Sequence, residues 1–206
     1  CDLLTGAVLR ADEPVKWRLL LLVRTQYLLY AHHPIRFQSF PYPSFDLLVT
    51  QLQALIKADS RDDESMELLQ DLTSLMLVTT QCGVENAECF VKARGLTVLR
   101  NLLLWLDPQV HRNDESVYSI LQLSMSLLAY LAQFHSLSSV LIDQQDITSL
   151  LSLYPSLSLP LPILSSILQY LTSLAGSTEF RATLMHTPVN LLLTILPLLF
   201  RFDAEE

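Results

Sequence analysis

The chain has 206 residues, of which 50% are hydrophobic and 17% charged, with a formal net charge of −8 and a pI near 5.0. That length and apolar content suffice for a sizeable core and exclude a disordered chain; the acidic balance, with no cluster of Lys and Arg interleaved with aromatics, excludes a nucleic-acid partner. Glycine occurs only 4 times and no Asn-Gly or Asp-Gly pair is present, so the hairpin signals of a β fold are missing and an all-α class is predicted.

The chain begins at Cys1, and Asp2 to Arg10 reads like the end of a helix already under way, so a piece of a longer chain is expected. Asp12-Glu13-Pro14 is a helix start: acidic side chains meet the positive end of the dipole and Pro suits the first turn. The helix is predicted over Val15 to about His32, apolar around most of its circumference. His33-Pro34 ends it. Pro34, Pro41 and Pro43 then mark an irregular connector carrying Ile35, Phe37, Phe40, Tyr42 and Phe45, aromatics that either plug a helix junction or form a recognition patch. Ser44 is placed to cap a helix over Phe45 to Ala58 with Leu48, Leu52 and Leu55 on one face, and Asp59 to Glu64 reads as a solvated charged turn.

Three later stretches are similar to one another: Glu67 to Leu75, Ser119 to Leu127 and Ser166 to Leu174, with Gln70, Gln122 and Gln169 falling 52 and 47 positions apart. Each is predicted to open a unit of a long, a short and a third helix. The first unit has helices over Ser65–Gln81, Asn86–Ala93 and Leu96–Leu106, with Gly95 allowing the sharp turn between the last two and Asp107-Pro108 closing the unit. The second has Glu115–Phe134, Ser138–Asp143 and Asp146–Tyr154. The third has Pro162–Ala175, Thr178–Met185 and Pro188–Phe200, with Gly176 ending its first helix and Pro197 kinking its last.

Units of about 40 to 50 residues built this way define an armadillo/HEAT-like superhelix of irregular helical repeats. The expected organisation is one domain: N-terminal helices and aromatic connector over 1–64, then repeats over 65–112, 113–160 and 161–206. Long uncharged stretches, Ser116 to Ile142 and Ile147 to Thr178, open a membrane-embedded alternative, but Ser, Gln and Pro interrupt both and buried repeat helices account for them.

Chemistry-bearing patterns are scarce. Cys1, Cys82 and Cys89 are odd in number and lack metal-knuckle or disulfide-framework spacing, which suits a reducing compartment and leaves no metal site. His32 and His33 are adjacent and so about 100° apart on a helix; they, like His135 and His186, fit the negative end of a helix dipole, and His111 has no partner His at ligand spacing. No nucleophile elbow, phosphate loop or Gly-rich cofactor motif occurs, and Asp62, Asp63 and Glu64 lack an apolar flank to separate their pKa values, so neither an enzyme nor a cofactor is expected. What remains is surface. Third helices line the groove of an armadillo array; Arg94, Arg100, Asn101 and Trp105 are the candidate protein-binding residues, since Arg and Asn bond peptide backbone and Trp supplies contact area, although Trp105 also fits a core position.

Tyr30-Ala-His-His33, the following Phe40, and the run Glu85 to Leu103 with Val110-His111 resemble an armadillo-like segment of the large endosomal DnaJ-domain co-chaperones of receptor-mediated endocytosis; the resemblance covers about Leu19 to Arg112. It implies a non-enzymatic scaffold, cytoplasmic and peripheral on endosomal membranes, that reaches Hsp70 only through regions outside this chain, because no His-Pro-Asp motif is present. The expected function is protein–protein interaction with a peptide or helical partner. A structural spacer within a long solenoid is the alternative.

Overall fold

A computed structural model describes residues 45–106, 114–134, 137, 141, 159–178, 180 and 181. Within them lie helices α1 (Phe45–Ala58), α2 (Asp63–Thr80), α3 (Val84–Lys92), α4 (Gly95–Leu106), α5 (Glu115–Leu131) and α6 (Leu161–Ala175), and no strand is found among the described residues. The described residues are thus all helical, consistent with the predicted all-α class. The helix expected over Val15–His32, the aromatic connector up to Ser44, the helices of Asp146–Tyr154 and Pro188–Phe200, and all five histidines lie outside the described residues, as do all of Ser138–Asp143 but Leu141 and most of Thr178–Met185.

Several boundaries have a local cause. Asp59, in the left-handed region at φ 51, closes α1, a conformation a short polar side chain tolerates better than most. The Asp62 carboxylate caps α2 by accepting from the Ser65 amide at 2.7 Å, so α2 starts at Asp63 and not at Ser65. Asp114 does the same for α5, accepting from the Ser116 and Val117 amides at 3.0 and 3.3 Å. Helix α6 has no side-chain cap; Pro160 and Pro162 fix the backbone there, where a missing N–H costs nothing. Gly176 follows its last turn, as expected.

The chain divides into two compact units, Cys1–Leu102 and Leu103–Glu206, with the division falling inside α4. In the first, α1, α2 and α3 pack on one another around Phe45, Leu48, Leu52, Leu69, Leu72, Met76 and Phe90, all buried. Phe45 and Phe90 meet edge to face with ring centroids 5.7 Å apart, a favoured aromatic geometry. In the second, α5 packs along α6 through Ile120, Leu121, Leu127, Ile163, Ile167 and Leu174. Tyr170 belongs to the same core and donates its hydroxyl to the Leu141 carbonyl at 3.4 Å.

The three similar stretches fall on α2, α5 and α6, and they share a burial register. Their second, sixth and ninth residues are buried in every copy: Leu68, Leu72, Leu75; Ile120, Ser124, Leu127; Ile167, Leu171, Leu174. The repeated Gln is not buried in any copy, nor is the Ser four positions after it, Ser74, Ser126 or Ser173. A spacing of four then three places the buried residues on one helical face and the Gln on the opposite side. Among the described residues, no helix is long and apolar enough to cross a membrane.

Candidate functional site

The candidate face is built on the turn from α3 into α4. Helix α3 ends with the Ala93 amide donating to the Cys89 carbonyl and the Arg94 amide to the Val91 carbonyl, both at 3.0 Å. The residue that turns the chain is Arg94, at φ 60 in the left-handed region; Gly95 has no positive φ and is already the first residue of α4. This corrects the expectation that Gly95 supplies the turn. Glycine is required there for space: a Cβ on Gly95 would lie 2.6 Å from Phe90 Cδ2 and closer still to Cε2 and Cζ. Gly95 therefore lets α4 start against a fully buried ring.

Along α4, Val98, Leu99, Leu102, Leu103 and Leu106 are buried. The opposite stripe is Thr97, Arg100, Asn101, Leu104 and Trp105, spaced i, i+3, i+4, i+7, i+8 and hence neighbours on one helical face. Thr97, Asn101 and Leu104 are exposed, with Leu104 at 41%, while Arg100 and Trp105 are half-buried. Of the four residues singled out in the sequence, α4 thus brings Arg100, Asn101 and Trp105 onto one stripe, and exposed Arg94 stands in the turn before it. Trp105 is neither wholly core nor wholly surface. Leu104 was missed, although the same 3.6-residue spacing places it beside Asn101, between Asn101 and Arg100 around the helix.

The segment around the stripe is locally basic. From Cys89 to Leu106 the sequence holds Lys92, Arg94 and Arg100 but no Asp or Glu, in a chain whose 21 acidic residues outnumber its 13 Lys and Arg. Lys92 pairs with Glu88 at 3.7 Å, an exposed pair on α3 that contributes little to stability.

Several of the remaining polar side chains serve the scaffold. Thr73 and Thr79 return their hydroxyls to the Leu69 and Leu75 carbonyls at 2.7 Å, which lets buried threonines sit inside α2. Asn86, buried in α3, donates its side-chain amide to the Thr79 carbonyl at 2.8 Å and so ties the end of α2 to α3. The half-buried Cys82 thiol lies near the Val78 carbonyl, Sγ to O 3.2 Å, and burial pushes its pKa up, opposite to what a reactive thiolate needs; Cys89 is exposed. Asp62 is held below the usual carboxylate range, first by the Ser60 hydroxyl and then by the Ser65 amide. Among the described residues no group of three or more His, Cys, Asp or Glu converges as a metal site would require. Comparisons with protein-family models, with curated proteins and with solved structures found no match to this chain.

Proposed function

We propose that this chain is a non-enzymatic protein–protein interaction scaffold: an armadillo/HEAT-like array of irregular helical repeats that receives a segment of another protein on the outward stripe of α4. The observation that carries the reading is the composition of that stripe. Leu104 and Trp105 supply apolar contact area, Arg100 and Asn101 supply donors for a peptide backbone or carboxylate, and the surrounding segment lacks acidic residues in an acidic chain. An apolar anchor flanked by acidic residues is the partner segment this combination favours. The shared burial register of α2, α5 and α6 supports a repeat array, since equivalent helices with equivalent buried faces are what stacking requires. The cytoplasmic, endosome-peripheral context and the link to an Hsp70 system through other regions are proposed on the resemblance to the DnaJ-domain co-chaperones alone.

The test is site-specific photo-crosslinking in cells, with the crosslinking side chain placed at Asn101 or, for comparison, at exposed Gln53 on α1. Discrete adducts are expected from position 101, reduced at least tenfold by Leu104→Glu. The same adduct pattern from both positions, unchanged by Leu104→Glu, would exclude the α4 stripe as a binding face.

A further inference from the structure

Between α1 and α2 the chain runs Asp59-Ser60-Arg61-Asp62-Asp63-Glu64, and every one of these residues except half-buried Ser60 is exposed. Ser60 is the one Ser or Thr of the 206 residues with an acidic residue three positions on, Asp63, and Asp62 and Glu64 flank that position. A protein kinase whose substrate groove is basic selects hydroxyls by this spacing, because carboxylates at the second to fourth positions beyond the acceptor meet its Lys and Arg side chains. No other hydroxyl of the chain offers it.

The hydroxyl also has a structural task that a phosphate cannot perform. Ser60 Oγ donates to Asp62 Oδ2, while Asp62 Oδ1 accepts from the Ser65 amide, so Ser60 steadies the carboxylate that caps α2. A phosphate in its place has no proton to donate, and it sets about −2 of charge beside the cap carboxylate and its two acidic neighbours. Like-charge repulsion of this kind opposes the hold of the Asp62 carboxylate on the helix end.

We propose that Ser60 is a phosphorylation site for an acidic-directed serine/threonine kinase and that its phosphate releases the N-terminal cap of α2. In the transfer, Ser60 Oγ forms a bond to the terminal phosphorus of ATP, the bond from that phosphorus to the bridging oxygen breaks, ADP departs, and the hydroxyl proton passes to the kinase's base. Helix α2 carries the first of the three similar stretches and packs on both α1 and α3. Loosening its first turn is thus a means of altering the first unit from an exposed position.

The experiment incubates the full 206-residue chain with an acidic-directed kinase and ATP, maps phosphate by peptide mass spectrometry and follows hydrogen exchange at the Ser65 amide. One phosphate is expected, on Ser60, absent in Ser60→Ala and incorporated at least tenfold more slowly in the Asp63→Asn, Glu64→Gln double variant, which keeps the acceptor. Exchange at Ser65 is expected to speed up at least tenfold on modification. No incorporation, or incorporation elsewhere that Ser60→Ala leaves unchanged, would overturn the assignment; a modified chain with unaltered Ser65 exchange would overturn the release of the cap.

Discussion

The same nine-residue pattern is supported differently in the two units. In the first, α2 is held at its ends: Asp62 caps its start, Asn86 of α3 ties off the Thr79 carbonyl near its finish, and Gly95 admits the Phe90 ring that meets Phe45. In the second, α5 and α6 are held along their length, with small polar residues in the seam: Ser126 and Ser166 lie Oγ to Oγ at 3.2 Å, and Ser166 also donates to the Pro162 carbonyl. A repeated apolar face therefore specifies which side of a helix is buried, while individual residues outside the repeat specify how the helix is joined to its neighbours.

The contrast breaks most severely at Phe90. Phe90→Ala should destabilise the first unit by about 3–5 kcal/mol, the range for emptying a buried aromatic site. Gly95→Ala should cost about 1–3 kcal/mol through overpacking against the ring, even though alanine is the better helix former. In the Phe90→Ala background that penalty should vanish, and urea titrations of the four proteins measure the coupling. Additive effects would show that Gly95 does not serve to admit the ring.

Next in size is the tie between α2 and α3. Asn86→Ala removes the bond to the Thr79 carbonyl and should cost about 1–3 kcal/mol by the same titration. Ser124 provides the opposite sign. It is fully buried, its hydroxyl has no hydrogen-bond partner among the described residues, and Leu72 and Leu171 occupy the equivalent position in the other copies. Ser124→Ala should therefore be neutral or stabilising by up to about 1 kcal/mol, whereas Ser166→Ala should be mildly destabilising.

The smallest effect is at the α2 cap and depends on pH. Because Asp62 is held at a lowered pKa in the folded chain, its contribution is present above the unfolded carboxylate pKa and is lost as pH falls through the folded value. Acid titration of Ser65 amide exchange should show this loss in the native chain and not in Asp62→Ala.

Much of this was legible in the sequence, and the misses have identifiable causes. The 3.6-residue spacing of Leu and Ile placed α1 at its observed limits and put α2, α5 and α6 within a few residues of theirs. Helix α2 starts two residues before the expected Ser65, because the charged run Asp59 to Glu64 reads as turn and the capping role of Asp62 depends on which of several adjacent carboxylates turns back. Arg94 was not legible as the turning residue: a glycine follows it, and glycine is the usual choice for a left-handed conformation. Only the position of the Phe90 ring, a matter of tertiary packing, explains Gly95. Of the candidate face, three residues could be placed on one stripe from spacing, but how far Trp105 is covered depends on neighbours that helical spacing does not reveal.

The most direct measurement for the shared register is cysteine accessibility. With Cys1, Cys82 and Cys89 replaced by Ser, single cysteines are introduced at the Gln position, Gln70→Cys, Gln122→Cys or Gln169→Cys, and at the second position, Leu68→Cys, Ile120→Cys or Ile167→Cys. Thiol labelling of the native chain should be fast at the Gln position and strongly protected at the second position in all three copies. Equal labelling at both positions within any copy would contradict the repeat.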